Sequence, residues 1–359
     1  MKVILLFGGR SPEHEVSILS ARSVAGAAPP RIQFTPICIA KDGRFIGPER
    51  SGRILAGDDD STHGEDGFSF EVWVRGGVEM DVVFPLVHGV GGEDGSLQGY
   101  LEILGVPYLG SGVTSSAIGM DKTHMKQAFA AAKLPMVDHV AVLEHDWRAE
   151  RERVTRAINN ALRLPYFVKP ANSGSSVGVT KVKGEGDLAN AIEQALRFDE
   201  KVLVERGLDA REFEVSVLGN DKPETSVPGE LVPTREFYDY TDKYVDGKSQ
   251  ILIPAKLPKE KADEMRRHAI TAFKAIGAWG FSRVDFFLER GTNRLFINEI
   301  NTIPGFTNIS MYPKLWEATE MKYPRLIERL LELGLEHAKA RMARTESAMR
   351  WFEEVKKIS

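Results

Sequence analysis

The chain reads as an α/β protein that opens on a doubly wound parallel sheet and continues into units whose strands pair as hairpins. Three observations predict this. Val3 to Phe7 is a short, wholly apolar run of the kind buried in a parallel sheet, and it passes through Gly8-Gly9-Arg10-Ser11 into a helix that starts at Pro12-Glu13-His14. The stretch from Gly280 to Phe306, GFSRVDFFLERGTNRLFINEINTIPGF, reads as two strands joined by a tight turn at Arg290 to Asn293. Finally, 359 residues at about 150 per domain allow two or three domains with ample core.

Composition narrows the function class. The chain is 42% hydrophobic and 27% charged, ordinary for a globular protein. Its net charge is -4, from 47 basic and 51 acidic residues, which gives no support for a nucleic-acid or anionic-membrane surface. The lone Cys38 sits in the apolar run Ile37-Cys38-Ile39, a buried strand position, and no disulfide within the chain is possible. The apolar run of MKVILLFGG is too short for a signal peptide, and none approaches the ~20 residues that span a bilayer. A cytoplasmic protein is expected.

In order, Ile32 to Ala40 and Val72 to Val74 are expected strands, and Ala56 to Gly67 a polar surface loop. Glu13 follows a strand's carboxyl end, where doubly wound sheets bind ligands; complementing the helix dipole is the alternative. The GxGxxG spacing of a dinucleotide fold is absent there. Asp81 to Val87 is a buried strand ending in His88-Gly89-Val90-Gly91-Gly92, before a helix from Ser96 to Leu104. A lone histidine is more often structural, but His88 stands at a strand's carboxyl end beside a glycine turn, a position where ligands bind.

A long helix is expected from about Gly119 to Lys133, then a strand near His139 to Leu143 and a helix near Arg148 to Ala161. Pro165 to Pro170 and Val179 to Val182 are strands flanking the small-residue loop Ala171-Asn172-Ser173-Gly174-Ser175-Ser176-Val177-Gly178. Free backbone N–H groups in such a loop can cradle phosphate oxygens, with Lys169 reaching them from the preceding strand. It is not a P-loop, because GxxxxGK[ST] is missing and a strand follows. A plain hairpin tip is the blander reading.

After a helix from Leu188 to Arg197, strands at Val202 to Gly207 and Glu212 to Leu218 are joined by a short polar link. Such a link can act as a hinge whose backbone meets an adenine edge, with Glu212 accepting ribose hydroxyls. Thr234 to Ser249, TREFYDYTDKYVDGKS, is too aromatic for an inert linker; it reads as a loop folding over a site, with Lys243 and Tyr244 inward. Asp263 to Ile276 is a helix. Leu326 to Ser359 is helical and charged, and its Met342, Met349, Trp351 and Phe352 read as capping the fold, with contact to a second subunit as the alternative.

The hairpin carries the sharpest chemistry. With its centre near Thr292, Asp285 lies opposite Glu299 and Arg283 opposite Asn301. Side chains alternate faces, so these four share one face, while Val284, Phe286, Leu288, Phe296 and Ile300 form the other. Two carboxylates with Cβ atoms about 5 Å apart repel unless a cation sits between them, and an all-oxygen set suits a hard ion such as Mg²⁺ or Mn²⁺; a solvated hairpin face with scattered charges is the blander reading.

The motifs LFGGRSPEHEVS, HGVGGEDGSLQG, GMDK, VKPANSGSSVGV, EFYDYTDKY, RVDFF and NEINTIPGFT follow one another in the order found in the D-alanine–D-alanine ligases, and the chain resembles that family from Val3 to about Leu333. The resemblance implies an ATP-grasp fold: an N-terminal doubly wound domain over residues 1–115, a central subdomain over 116–209, a C-terminal subdomain with the metal site over 210–339, and an extra helical tail over 340–359. It implies ATP held by Lys122, Lys169, Lys243, Asn298 and the Ser173 to Ser176 loop, the latter including Ser175. It places adenine against the Glu205-Arg206-Gly207-Leu208 backbone and ribose on Glu212. Asp285, Glu299 and Asn301 would hold two Mg²⁺ or Mn²⁺ ions.

The first D-alanine would meet Glu13 and His88, and its carboxylate would take the γ-phosphoryl group. The second, near Ser310 and Met311, would attack the acyl phosphate, with Arg283 and the Gly305 N–H facing the oxyanion. Tyr244, through Ser175 and Glu13, would favour D-alanine as acceptor. Family members are commonly homodimers. The rivals are a Rossmann-type dinucleotide-binding protein, which leaves the hairpin cluster and Lys169 loop unused, and an ATP-grasp ligase with another acceptor such as D-serine or D-lactate.

Overall fold

The computed structural model describes residues 1–232 and 250–356. The first unit runs β1 (Lys2–Gly8), α1 (His14–Ala27), β2 (Gln33–Ile39), β3 (Phe45–Ile46), α2 (Pro48–Ala56), α3 (Phe70–Arg75), β4 (Val82–Pro85) and α4 (Ser96–Ile103). Its sheet has the order β3-β2-β1-β4, with β2 and β4 parallel to β1 and β3 an antiparallel edge. Buried apolar side chains lie on both of its faces, as the continuous apolar run of β1 requires.

Two sequence expectations fail here. The strand expected over Val72 to Val74 is the helix α3. Its start is fixed by Ser69, whose side chain accepts the Val72 N–H, and Arg75 Nε donates to Glu71 one turn back at 2.9 Å. Capping and an i,i+4 pair outweigh the β-preference of two valines. Helix α2 was not anticipated, although Pro48 opens it and Gly57 closes it in the left-handed conformation, the usual asymmetry of helix ends.

The second unit contains α5 (Val113–Met120), α6 (Lys122–Ala131), β5 (His139–Leu143), α7 (Glu144–Ala161), β6 (Tyr166–Pro170), β7 (Thr180–Val182), α8 (Leu188–Ala195) and β8 (Lys201–Arg206). Asp121 caps α6 by accepting the N–H groups of Thr123 and His124, so the expected long helix starts only there. The antiparallel sheet β5-β8-β6-β7 packs on α7 and α8 through a core of its own around Trp147 and Tyr166.

The third unit comprises β9 (Ala210–Gly219), β10 (Glu224–Thr225), β11 (Gly229–Val232), β12 (Gln250–Leu252), α9 (Lys259–Ala275), β13 (Gly280–Glu289), β14 (Leu295–Asn301), α10 (Met311–Glu317) and α11 (Tyr323–Lys356). Its antiparallel sheet runs β12-β11-β9-β13-β14, with β10 on β9. One face rests on α9 and α6 through Phe273, Met265, Met125 and Phe129. The first and third units share a core. Phe84 meets Phe281 and Phe306 edge-on, at ring separations of 6.4 and 5.9 Å. That contact packs β4 of the first unit against the start of β13 and the segment after β14.

Helix α11 is buried as far as Ala338. Beyond it Met342, Met349, Trp351 and Phe352 are 50 to 67% exposed, so they do not cap the fold. Among the described residues, no helix is long and apolar enough to cross a membrane.

Candidate active site

The hairpin register is the one its sequence predicts: Arg283 opposite Asn301, Val284 opposite Ile300 and Asp285 opposite Glu299. A bulge then intervenes, for Phe286 pairs with Ile297 and leaves Asn298 as the extra residue. Beyond the bulge the faces exchange. Leu295 and Ile297 join Val284, Phe286, Leu288 and Ile300 in the core, whereas Phe296 lies opposite Phe287 and is not part of that cluster. The expectation that Phe296 packs on the core face is corrected by this single inserted residue. The bulge also turns Asn298 towards the cleft, beside Glu299.

Arg283 forks onto Asp285, with Nε and Nη2 each 2.7 Å from a carboxylate oxygen, and its Nε is 3.0 Å from Glu214 on β9. Burial works against the guanidinium charge, but Asp285, Glu214 and Glu299 together outweigh it and hold its pKa well above the usual range. Glu214 was missed by sequence reasoning. The alternation Glu212, Glu214 on one face of β9 was the available signal, since Glu214 stands opposite Asp285 in register.

The opposite wall comes from the second unit. Lys169 on β6 and Lys126 on α6 both pair with the buried Glu205 of β8, Lys126 at 2.6 Å. Burial would raise the Glu205 pKa, but the two lysines reverse it and hold the carboxylate below its ordinary range. The Lys169 ammonium, disfavoured by burial, is kept charged and its pKa raised by Glu205, Glu299 and Glu212. The loop between β6 and β7 turns through left-handed backbone at Ser175 and Ser176, with φ of 48° and 59°. Lys122 donates to the Ser173 carbonyl at 2.6 Å and lies 4.0 Å from Glu299, so it links this loop to the hairpin.

The first unit closes the end of the cleft. Glu13, at the start of α1, accepts a hydrogen bond from the Ser175 hydroxyl of the loop. The approach is close: a Cβ on Gly174 would come within 2.8 Å of the Glu13 carboxylate, and one on Gly89 within 2.6 Å. His88 is buried, its Nε2 2.9 Å from the Ser20 hydroxyl and its Nδ1 3.0 Å from the Ile303 carbonyl. Glu93, which sequence reasoning quoted in a motif but gave no role, is buried 3.7 Å from His88 and accepts the Gly89 N–H at 2.9 Å. Burial raises its pKa, and the Glu13 charge adds to this. Past the hairpin, Gly305 packs against Ser310, whose oxygen accepts the Thr307 N–H at 3.0 Å.

Most of these groups, though not Lys126, line one cavity of about 370 Å³. Its wall holds Glu13, His88, Lys122, Lys169, Ser173, Ser175, Ser176, Glu205, Arg206, Leu208 and Glu212 from the first two units and the start of β9. From the hairpin and the segment after it come Arg283, Asp285, Asn298, Glu299, Asn301, Gly305, Ser310 and Met311. Gly207 is not part of that wall; its N–H donates to the Pro165 carbonyl at 2.7 Å. Lys243 and Tyr244 lie outside the described residues. Apolar side chains also missed from sequence, including Phe167 and Phe287, complete the lining.

Two antiparallel sheets with lysines and carboxylates facing one cleft, behind a doubly wound unit that closes its end, define an ATP-grasp architecture. Family models for the D-ala D-ala ligase N-terminus and C-terminus match residues 2–111 and 128–332. The D-alanine–D-alanine ligase of Halothermothrix orenii is 46% identical, covering 94% of this chain and 98% of the relative. That of Chloroherpeton thalassium is 45% identical, covering 96% and 98%. Among solved structures, the D-alanine–D-alanine ligase from Coxiella burnetii superposes with a TM-score of 0.81 at 33% identity, over 100% of this chain and 99% of that one. The VanG D-Ala:D-Ser ligase from Enterococcus faecalis gives 0.79 at 31% identity, over 93% and 99%. The chain belongs to the D-alanine–D-alanine ligase family, which leaves the dinucleotide-binding reading without support.

Proposed function

We propose that this protein joins two D-alanines into D-alanyl-D-alanine at the expense of ATP, for peptidoglycan precursor synthesis, through a D-alanyl phosphate. The observation that carries the reading is the convergence of Lys122, Lys169, Arg283 and the Asp285–Glu299 pair with Glu13 in one cavity. The reaction needs cations on a triphosphate, a carboxylate for an amino-acid ammonium and donors for a developing oxyanion, and it needs them together.

Lys122, Lys169 and the Ser173 to Ser176 loop hold the phosphates, with Lys243 reaching the transferred group. The backbone of Glu205, Arg206 and Leu208 meets adenine, Glu212 takes the ribose, and Asn298 completes the ATP-binding set. Glu13 takes the ammonium of the first D-alanine, and His88 helps with its carboxylate. That carboxylate attacks the γ-phosphate and ADP leaves. The second D-alanine, beside Ser310 and Met311, attacks the acyl phosphate as its free amine, and inorganic phosphate departs. Arg283 and the Gly305 N–H meet the tetrahedral oxyanion, a contribution of about 3 kcal/mol per donor. Ser175, with Tyr244, orients Glu13 and closes the loop.

The donor set for metal is Asp285, Glu299 and Asn301, two opposed carboxylates and an amide on one strand face. Oxygen-only donors fit Mg²⁺ or Mn²⁺. Two such ions would neutralise charge on the transferring phosphoryl. Division into domains over 1–115, 116–209 and 210–339, with a tail over 340–359, a cytoplasmic location and a homodimer complete the proposal. Sedimentation of the purified protein tests the last.

Phosphate release measured with ATP across D-alanine, D-serine, D-lactate and L-amino acids tests the whole reading. Release with D-alanine alone is expected. Release only with another acceptor would overturn the choice of D-alanine, and no release with any would overturn ligation.

A further inference from the structure

Lys126 has no place in the cavity wall, yet it is 2% exposed and points its ammonium at a wall residue. Its Nζ lies 2.6 Å from Oε1 of Glu205, while Lys169 takes the other oxygen of the same carboxylate. Lys126 sits one turn after Lys122 on the same face of α6; Lys122 donates to the Ser173 carbonyl of the loop, and Lys126 reaches Glu205 on β8. At the cavity wall, then, one buried carboxylate is shared by the buried Lys126 and the half-buried Lys169, of which only Lys169 lines the ligand space.

We infer that Lys126 is a positioning residue that stays on Glu205 as its counter-ion and so frees Lys169 to leave Glu205 for the nucleotide phosphates. The inference rests on the ATP-binding reading above and deepens it. Its physical basis is the cost of an uncompensated buried charge. A carboxylate at 4% exposure cannot lose its last cation without leaving an uncompensated charge away from water, which is strongly unfavourable. If Lys169 were alone on Glu205, each binding event would strip that carboxylate bare. With Lys126 in place, the triad carries one surplus positive charge, and that charge is on the lysine facing the cavity.

The arrangement makes a prediction that simple packing does not. Replacing Lys126 by methionine keeps its apolar stem but leaves Lys169 neutralised by Glu205. Adding Glu205→Gln to that variant restores the surplus charge and releases Lys169 again. Binding of a non-hydrolysable ATP analogue with Mg²⁺ is measured by calorimetry on the whole protein, with KM and kcat for ATP alongside. Lys126→Met is expected to weaken the analogue, and raise the KM for ATP, by at least about tenfold, with much less change in kcat. Lys126→Arg retains most of the affinity, and Lys126→Met/Glu205→Gln recovers most of what Lys126→Met lost.

Unchanged analogue affinity in a folded Lys126→Met protein overturns the inference. So does a double variant no better than the single one, which is the behaviour of a residue that only packs. If Lys126→Met does not fold, the comparison of Glu205→Gln alone with the double variant decides. Equal or tighter analogue binding by the double variant supports the inference, and markedly weaker binding overturns it. Absence of analogue binding by the unaltered protein would instead contradict the ATP-binding reading.

Discussion

The Ser175 hydroxyl donates a hydrogen bond to the Glu13 carboxylate, joining two residues 162 positions apart and two units with separate cores. Ser175 holds left-handed backbone to do so, a conformation rarely adopted by residues with a side chain. Replacing it with alanine removes a bond to a charged acceptor, worth about 1.5–3 kcal/mol. Ser175→Ala is therefore expected to lower kcat/KM for D-alanine by about tenfold or more, and the melting temperature by a few degrees. Steady-state kinetics against D-alanine checks this; unchanged kcat/KM would remove Ser175 from the account.

Asp285 carries two demands, since it receives both prongs of Arg283 and faces Glu299 across the hairpin. Asp285→Asn keeps the shape and removes the charge. Its expected effects are a loss of about 100-fold in kcat and a shift of the Mg²⁺ or Mn²⁺ activation curve to higher concentration. A curve that stays in place while kcat falls would assign Asp285 to Arg283 alone and count against the metal site.

Glu93 supplies a pH test that needs no substrate. Burial, helped by the charge of Glu13, raises its pKa above the ordinary 4.5 despite the opposing contacts from His88 and Gly89. The folded protein thus keeps this proton to higher pH than the unfolded chain does. The associated stability is complete below the ordinary glutamate value and is lost as pH rises from there through the raised folded value. Glu93→Gln can still accept the Gly89 N–H and cannot ionise. The melting temperature of Glu93→Gln relative to the parent should rise as pH is taken upward from 4.5 towards neutrality. A difference that stays constant over that range would show that Glu93 titrates normally.

Much of this was legible because strand alternation is a strict rule. The pairing of Asp285 with Glu299 followed from counting outward from the Thr292 turn, and the structure has that register. Counting failed at Asn298, because a bulge adds one residue without a mark in the local composition, and so Phe296 was put on the wrong face. Glu214 followed from the same alternation but drew no notice without a partner to assign it. Val72 to Val74 misled because β-branched residues were read without the cap at Ser69. Lys126 and Glu93 could not be found from chain order at all. Each owes its position to packing between segments far apart, Lys126 on Glu205 and Glu93 beside His88. The outer turns of α11 were misjudged because apolar content alone does not say that a surface lies within reach.

The central claim is that the carboxylate of one D-alanine is phosphorylated in this cavity and then captured by the amine of another. Turnover of ATP with D-alanine carrying heavy oxygen in its carboxylate tests it most directly, read by mass spectrometry of the released phosphate. An acyl phosphate intermediate predicts one heavy oxygen in each phosphate released, in step with dipeptide formed. Dipeptide accompanied by unlabelled phosphate would contradict the account.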